Sequence, residues 1–387
     1  MKNLYIIYCA VALSLLAGCK MASSPSSDGP SSDGPSSEPG ANISDDKTWT
    51  SIAMSSDGEK LAAVVGDSTG DGRHIYASSD SGAKWADLSI VPDSAIAGDK
   101  YWISIAMSGN GEKLAAVVFS GHIYTSSNSG ETWSDRSGTG SAIAGNKIWY
   151  SIAMSDDGQK LAAVVNGGHI YTSTDLGANW TDRSTAGSGI AGDKYWQSIA
   201  MSDDGKYLAA VVGGSSGDGR HIYTSDNYGV TWTDRSTAGS GIAGDKNWQS
   251  IAISDDGQEL AAVVGGASGD GRHIYTFSNS EATWTNRSTA TGSEIAGNKI
   301  WISIAMSGNG EKLAAVVFGG HLYTSSNLGA DWTNRSTAAD SVSVIGGNRN
   351  WRSIAMSDDG QYLAAVVYNG HIYTATNLGA DWTDRSE

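Results

Sequence analysis

The residues able to do chemistry in this chain are few and, with few exceptions, periodic. Seven histidines (His74, His122, His169, His221, His273, His321 and His371) each open an H-[IL]-Y triplet, one per repeat. A metal needs three or four ligands converging within a few Å of one point. Histidines dealt out one to a repeat lie around a ring, so their spacing predicts structural roles and no metal centre. Arg136, Arg183, Arg235, Arg287, Arg335 and Arg385 recur in D-R-S or N-R-S, and Arg73, Arg220 and Arg272 in G-D-G-R, which leaves Arg349 and Arg352 outside any pattern, both in the last repeat. No G-x-S-x-G, H-E-x-x-H or P-loop occurs. No catalytic residue and no cofactor is expected. The loops ending Gly70-Asp71-Gly72-Arg73, Gly217-Asp218-Gly219-Arg220 and Gly269-Asp270-Gly271-Arg272 offer oxygen ligands for Ca²⁺, but with a lone Asp each they read first as hairpin turns.

One residue outside the repeats carries a reactive group in a telling place. Cys19 closes Leu16-Ala17-Gly18-Cys19, behind Lys2 and an apolar run from Leu4 to Leu16. The run is too short to span a bilayer and reads as a signal peptide, residues 1–18. The tetrapeptide resembles the lipobox of bacterial lipoproteins. That resemblance implies diacylglycerol on the Cys19 thiol, cleavage before Cys19 and acylation of the new amino group, palmitate being a typical chain. Acyl burial contributes roughly 0.8 kcal/mol per CH₂, so two or three chains hold firmly. Lys20 is compatible with outer-membrane sorting in a Gram-negative cell, giving an extracytoplasmic, membrane-anchored protein. Cys9 leaves with the signal, so no disulfide is possible in the mature chain, and packing must supply stability. Residues 19–40, including SSDGPSSDGPSSEPG, have almost nothing to bury and read as a flexible tether.

The 387 residues carry a formal charge of −16, which argues against nucleic acid as a partner because phosphate binding needs clustered Lys and Arg. Trp (14) and Tyr (16) far outnumber Phe (3), a bias that suits half-buried repeats more than a wholly apolar core.

The elements that must position these residues come from a unit repeated seven times over residues 41–387: W-x-S-I-A-[MI]-S-x-[DN]-G-x-x-L-A-A-V-V, a variable loop, H-[IL]-Y, then a turn ending in Trp. The leading tryptophans, Trp49, Trp102, Trp149, Trp196, Trp248, Trp301 and Trp351, are 47 to 53 residues apart. A period of that size with four strand signals per unit predicts an all-β, seven-bladed β-propeller of four-stranded antiparallel blades. In the third unit the strands are expected at Trp149–Ser155, Lys160–Val165, His169–Ser173 and Trp180–Arg183. Asp156-Asp157-Gly158 joins the first two, with Gly at positive φ. The alanines of L-A-A-V-V let neighbouring blades approach. No spare strand is visible for a swapped closure, and ANISDDK (Ala41 to Lys47) matches the connecting loops. Face packing of blades one and seven is therefore expected to close the ring.

The turn between third and fourth strands resembles the Asp-box (BNR) motif, S-x-D-x-G-x-x-W: Ser78, Asp80, Gly82, Trp85 in unit one and Ser173, Asp175, Gly177, Trp180 in unit three. Asn128, Asn227, Asn327 and Asn377 occupy the Asx position in units two, four, six and seven, and Asn279 in unit five. Unit five departs with Phe277 for Ser and Glu281 for Gly, and unit seven has Ala375 for Ser. Strand form and turns are similar to propellers of the sialidase, sortilin and photosystem II assembly-factor (Ycf48-like) groups. The resemblance implies a fold and a structural role for these turns. It also implies protein or glycan recognition, which with the lipid anchor makes a membrane-anchored scaffold the expectation, as a monomer. The alternative it raises is a sialidase-like glycoside hydrolase, whose chemistry needs an arginine cluster, a Tyr–Glu pair and an acidic Asp near the axis.

The blades differ at the second-to-third loops and beside the leading Trp. Candidate ligand contacts at the channel mouth are Tyr101, Trp102, Tyr150, Tyr195, Gln197, Gln249 and Arg352, an aromatic and amide lining suited to a glycan or a peptide loop. Drift of exposed positions is the plainer explanation.

Overall fold

The computed structural model describes residues 43, 46–66, 73–90, 94–214, 220–237, 239–242, 245–266, 272–289, 293–337 and 344–386. The signal peptide, Cys19, the tether and the G-D-G-R loops short of their arginines lie outside them. The described residues form seven four-stranded antiparallel blades, in all-β architecture. The chain is a seven-bladed β-propeller.

Blade three shows the pattern. Its strands are Trp149–Met154, Leu161–Gly168, Ile170–Ser173 and Thr181–Asp182. Gly158 takes φ 65° in the turn joining the first two strands, as expected. The second strand outruns its expected end, and the fourth is only two residues long. The overrun has a cause: beyond Val165 the strand leaves its own blade and pairs with the next, Asn166 with Tyr195 and Gly168 with Lys194.

L-A-A-V-V buries both faces because each faces a different neighbour. Leu161, Ala163 and Val165 pack with Trp149 against Ala115, Val117 and Ile123 of blade two, while Ala162 and Val164 pack against Trp196 and Leu208 of blade four. All five are buried. Every leading Trp is fully buried at such a seam, edge-on to a Tyr of its own blade, as Trp149 is to Tyr171 at 5.7 Å. At six of the seven seams its indole N–H is also a staple, as where Trp149 Nε1 donates to Gly121 O of the preceding blade at 3.1 Å; Trp351 is the exception.

The inner strands of a propeller present an edge whose N–H groups need partners. The Ser of W-x-S-I supplies them. The Ile N–H of each blade donates to the Ser hydroxyl of the preceding one: Ile105 to Ser51, Ile152 to Ser104, Ile199 to Ser151, Ile251 to Ser198, Ile304 to Ser250, Ile354 to Ser303, and Ile52 back to Ser353. The circuit is unbroken.

Blades one and seven meet by the contacts used at the other seams. Trp49 and Ile43 pack on Ala364, Val366 and Ile372. Trp49 Nε1 donates to Gly370 O at 3.0 Å. Face packing closes the ring, reinforced by the same short ladder, Lys47 with Gly370 and Thr48 with Tyr368.

Candidate functional site

The S-x-[DN]-G turns converge on the axis at one end of the ring. Their second residues are Ser56, Gly109, Asp156, Asp203, Asp255, Gly308 and Asp358, and each backbone N–H donates to the carbonyl of the next. The bonds run Ser56 to Gly109, Gly109 to Asp156, Asp156 to Asp203, Asp203 to Asp255, Asp255 to Gly308, Gly308 to Asp358, and Asp358 to Ser56. Side chains on this circuit crowd the axis. Oxygens of Asp203, Asp255 and Asp358, from three different blades, all lie within 4.8 Å of one another. A Cβ on Gly109 would stand 1.5 Å from Asp156 Oδ1, and one on Gly308 1.9 Å from Asp255 Oδ2. Blades two and six read S-G-N-G because the axis has no room for further side chains.

Desolvation pushes the Asp203 carboxyl up to about 7, with the charges of Asp255, Asp358 and Asp156 adding to the shift. Asp255 and Asp358 rise too, desolvation again leading. A proton shared by Asp203 and Asp255 turns repulsion into a hydrogen bond. Among the described residues these three carboxylates are the grouping with the geometry to hold a cation. Sequence reasoning missed them. The signal was there: Asp in four of seven turns at one repeat position.

The histidines and the six D-R-S or N-R-S arginines are bonded to neighbouring side chains. His169 Nδ1 lies 2.6 Å from Asp182 Oδ2 and its Nε2 3.3 Å from Asp193 Oδ1 of the following loop. His221 and His371 are flanked likewise, by Asp234 and Asp245 and by Asp384 and Asp46. Arg183 Nε donates to Thr172 Oγ1 at 2.7 Å, and Arg136, Arg235, Arg287, Arg335 and Arg385 repeat the bond. Arg349 donates to Val344 O and lies over the Tyr373 ring. Arginines converging on a substrate carboxylate are absent among the described residues.

At the expected S-x-[DN]-x-G-x-x-W turns, Asp175 Oδ1 accepts from the Ser173 hydroxyl at 2.8 Å and from Asn179 N at 2.8 Å, and Trp180 is buried beside Gly177. Asp80, Asn128, Asn227 and Asn327 make equivalent bonds. Asn279 and Asn377 do not, which corrects the expectation for these two. With Phe277 and Ala375 in place of Ser there is no hydroxyl to organise the turn. Asn279 Nδ2 reaches Gln258 Oε1 and Asn377 Nδ2 reaches Asp381 Oδ2. In both blades the hairpin runs on instead, giving four-residue fourth strands, Thr283–Asn286 and Asp381–Asp384.

The other end of the ring is where blades differ. Tyr101, Tyr150, Tyr195, Gln197, Gln249 and Arg352 are all partly exposed there. Trp102 is not: it is fully buried, with Nε1 donating to Arg73 O, so its placement at the mouth is corrected. Side chains alternate along a strand, so the neighbours of a core Trp point away from the core it fills. The structure joins Tyr101 and Tyr150 through a residue outside the expected set. Phe119 stacks 5.4 Å from Tyr101 and 6.1 Å from Tyr150, forming an aromatic arc across blades two and three. Gln249 Nε2 donates to Asn247 Oδ1 on the amide side of the mouth.

No family model matches the chain, and no curated protein matches it. Solved structures do. The chain is similar to a GH74 xyloglucanase from Xanthomonas campestris at 15% identity and TM-score 0.63, over 88% of this chain and 55% of that one. It is similar to YCF48 bound to D1 peptide at 16% identity and TM-score 0.58, over 88% and 98% of the two chains. Hydrazine synthase from Kuenenia stuttgartiensis matches at 14% identity and TM-score 0.57, over 85% and 96%. The chain thus spans about half the length of the xyloglucanase. At these identities the likeness is one of fold, and what it establishes is the β-propeller.

Proposed function

We propose that this chain is a lipid-anchored, extracytoplasmic binding propeller that recognises a glycan or protein through its loop face and performs no catalysis there. The observation that carries this reading is the aromatic arc Tyr101–Phe119–Tyr150, set on the one face where the repeats diverge. Half-exposed rings that touch one another offer contact area at low entropic cost, the usual lining of a ligand site. The histidines and patterned arginines are tied into blade architecture, which supports a binding face over a reacting one. The solved structure of YCF48 with D1 peptide is a precedent for a propeller of this form holding a peptide. The test is a combined glycan and peptide array probed with the full-length chain in detergent. We expect reproducible binding that Tyr150→Ala weakens by about tenfold or more. Binding indifferent to both Tyr150→Ala and Tyr101→Ala would sink the reading. Acylation is tested separately: palmitate labelling should appear in the wild-type chain and vanish in Cys19→Ala.

A second reading, a glycoside hydrolase, is favoured by one feature. Asp203 and Asp255 are neighbouring carboxylates whose protons are held more tightly than usual, desolvation leading, as a general acid must hold its own. It predicts release of a chromophore from an uncharged aryl glycoside, abolished in Asp203→Asn. No turnover by pure protein excludes it.

A further inference from the structure

Four blades have short second-to-third hairpins, and the residue after Val-Val in them is Phe119, Asn166, Phe318 and Tyr368. Blade three alone lacks an aromatic ring at this position. Its Asn166 turns Nδ2 to Trp196 O at 3.2 Å, while its backbone N–H keeps the ladder bond to Ile148 O at 2.9 Å. Beside it lies a cavity of about 310 Å³, bounded by the loop bearing Asn146 and Ile148, the hairpin at Asn166, and Asp193 from the next loop. That volume is at the small end of ligand sites, enough for one ring-sized group.

We propose that this seam cavity is a subsite for a single uncharged pyranose ring, with the aromatic arc carrying the next units of the same oligosaccharide. The inference rests on the binding reading above and names its ligand. A pyranose has an apolar C–H face and a rim of hydroxyls that each donate and accept. The cavity matches both halves. Ile148, Val165 and Tyr171 supply apolar wall, and Ile148 is 42% exposed, ready to be covered. Asn146, Lys147, Asn166 and Asp193 also line the cavity, residue types that donate to and accept from sugar hydroxyls. Lys147 lies 5.5 Å over the Tyr171 ring and Asp193 Oδ1 lies 3.3 Å from His169 Nε2, so one ammonium and one carboxylate share the wall and no excess of either calls for an ionic ligand. The charge of −16 on the chain disfavours an anionic sugar. Ile148, in the cavity wall, stands two residues before Tyr150 in the chain, and Tyr150 lies 6.1 Å from Phe119, which lies 5.4 Å from Tyr101.

The test uses the full chain in detergent, titrated by calorimetry with cellotetraose, xylotetraose, mannotetraose and maltotetraose, with sialyllactose as the charged control. At least one neutral tetrasaccharide should bind with a millimolar or tighter Kd and more tightly than its disaccharide. Asn166→Phe, which copies the residue of blades two and six and preserves the ladder N–H, should weaken that binding by about tenfold or more with an unchanged thermal midpoint. Phe119→Ala should erase the advantage of the tetrasaccharide over the disaccharide. No heat from any neutral tetrasaccharide at about 20 mM, binding untouched by Asn166→Phe, or a preference for sialyllactose would each overturn the proposal. Peptide binding lost in Tyr150→Ala but kept in Asn166→Phe would overturn it too, while leaving the binding reading intact.

Discussion

Single residues repeated seven times do the work that disulfides do elsewhere. The Ser of W-x-S-I looks unremarkable in sequence, a small polar residue ahead of an apolar one. Its role exists only once blades stand side by side, since its hydroxyl answers an N–H on the neighbouring chain segment. Ser151→Ala should leave Ile199 N–H unpaired, costing about 1–2 kcal/mol and lowering the thermal midpoint by a few degrees in calorimetry. Ser151→Thr, which keeps a hydroxyl, should cost less. An unchanged midpoint in the alanine variant would show that water serves that N–H equally well. Trp102 teaches the complementary lesson. It was grouped with the mouth because variable residues flank it, yet strand alternation alone would have set it in the core opposite Tyr101 and Ile103.

At the scale of elements, sequence and structure agree where the determinant is local. The L-A-A-V-V strands, the glycine of Asp156-Asp157-Gly158 and the Ser-bearing turns were all readable because each depends on residues within a few positions. Blades five and seven show the dependence by its failure, since losing one Ser converts a short capped turn into a longer hairpin. Ser173→Ala should reproduce that change in blade three. It removes the hydroxyl that bonds Asp175 Oδ1 and accepts from Gly177 N, and should cost about 1–2 kcal/mol. Amide exchange should then slow at Thr181 and Asp182 as the hairpin lengthens; faster exchange there would contradict the account. What local reading missed was the ladder between blades, because Asn166 and Tyr195 meet only after the chain has gone round a whole blade.

The whole molecule adds effects that belong to no single blade. Convergence of Asp203, Asp255 and Asp358 is invisible to periodicity, which sees equal spacing along the chain and not a common centre. It sets a pH dependence. The folded carboxyl of Asp203 is raised to about 7 by burial and then by its acidic neighbours, so the folded state holds protons that the unfolded chain releases near 4. Stability from this group is full below about 4 and falls as pH climbs to about 7. Asp57, Asp80, Asp157 and Asp175 work in the opposite sense. Turn hydrogen bonds hold them below the usual range against a desolvation that raises them, so their contribution is lost as pH drops through the acid region. Thermal midpoints should therefore peak in mildly acidic buffer and decline toward pH 8. Asp203→Asn should raise the midpoint at pH 8 and flatten the decline. An equally steep decline in that variant would place the effect elsewhere.

The carboxylates gathered at one end have a further consequence. Carboxylate oxygens from three blades within 4.8 Å of one another focus negative potential on that opening, so the two entrances to the ring are unlike: small anions are turned away at the acidic one, and added salt relaxes the difference.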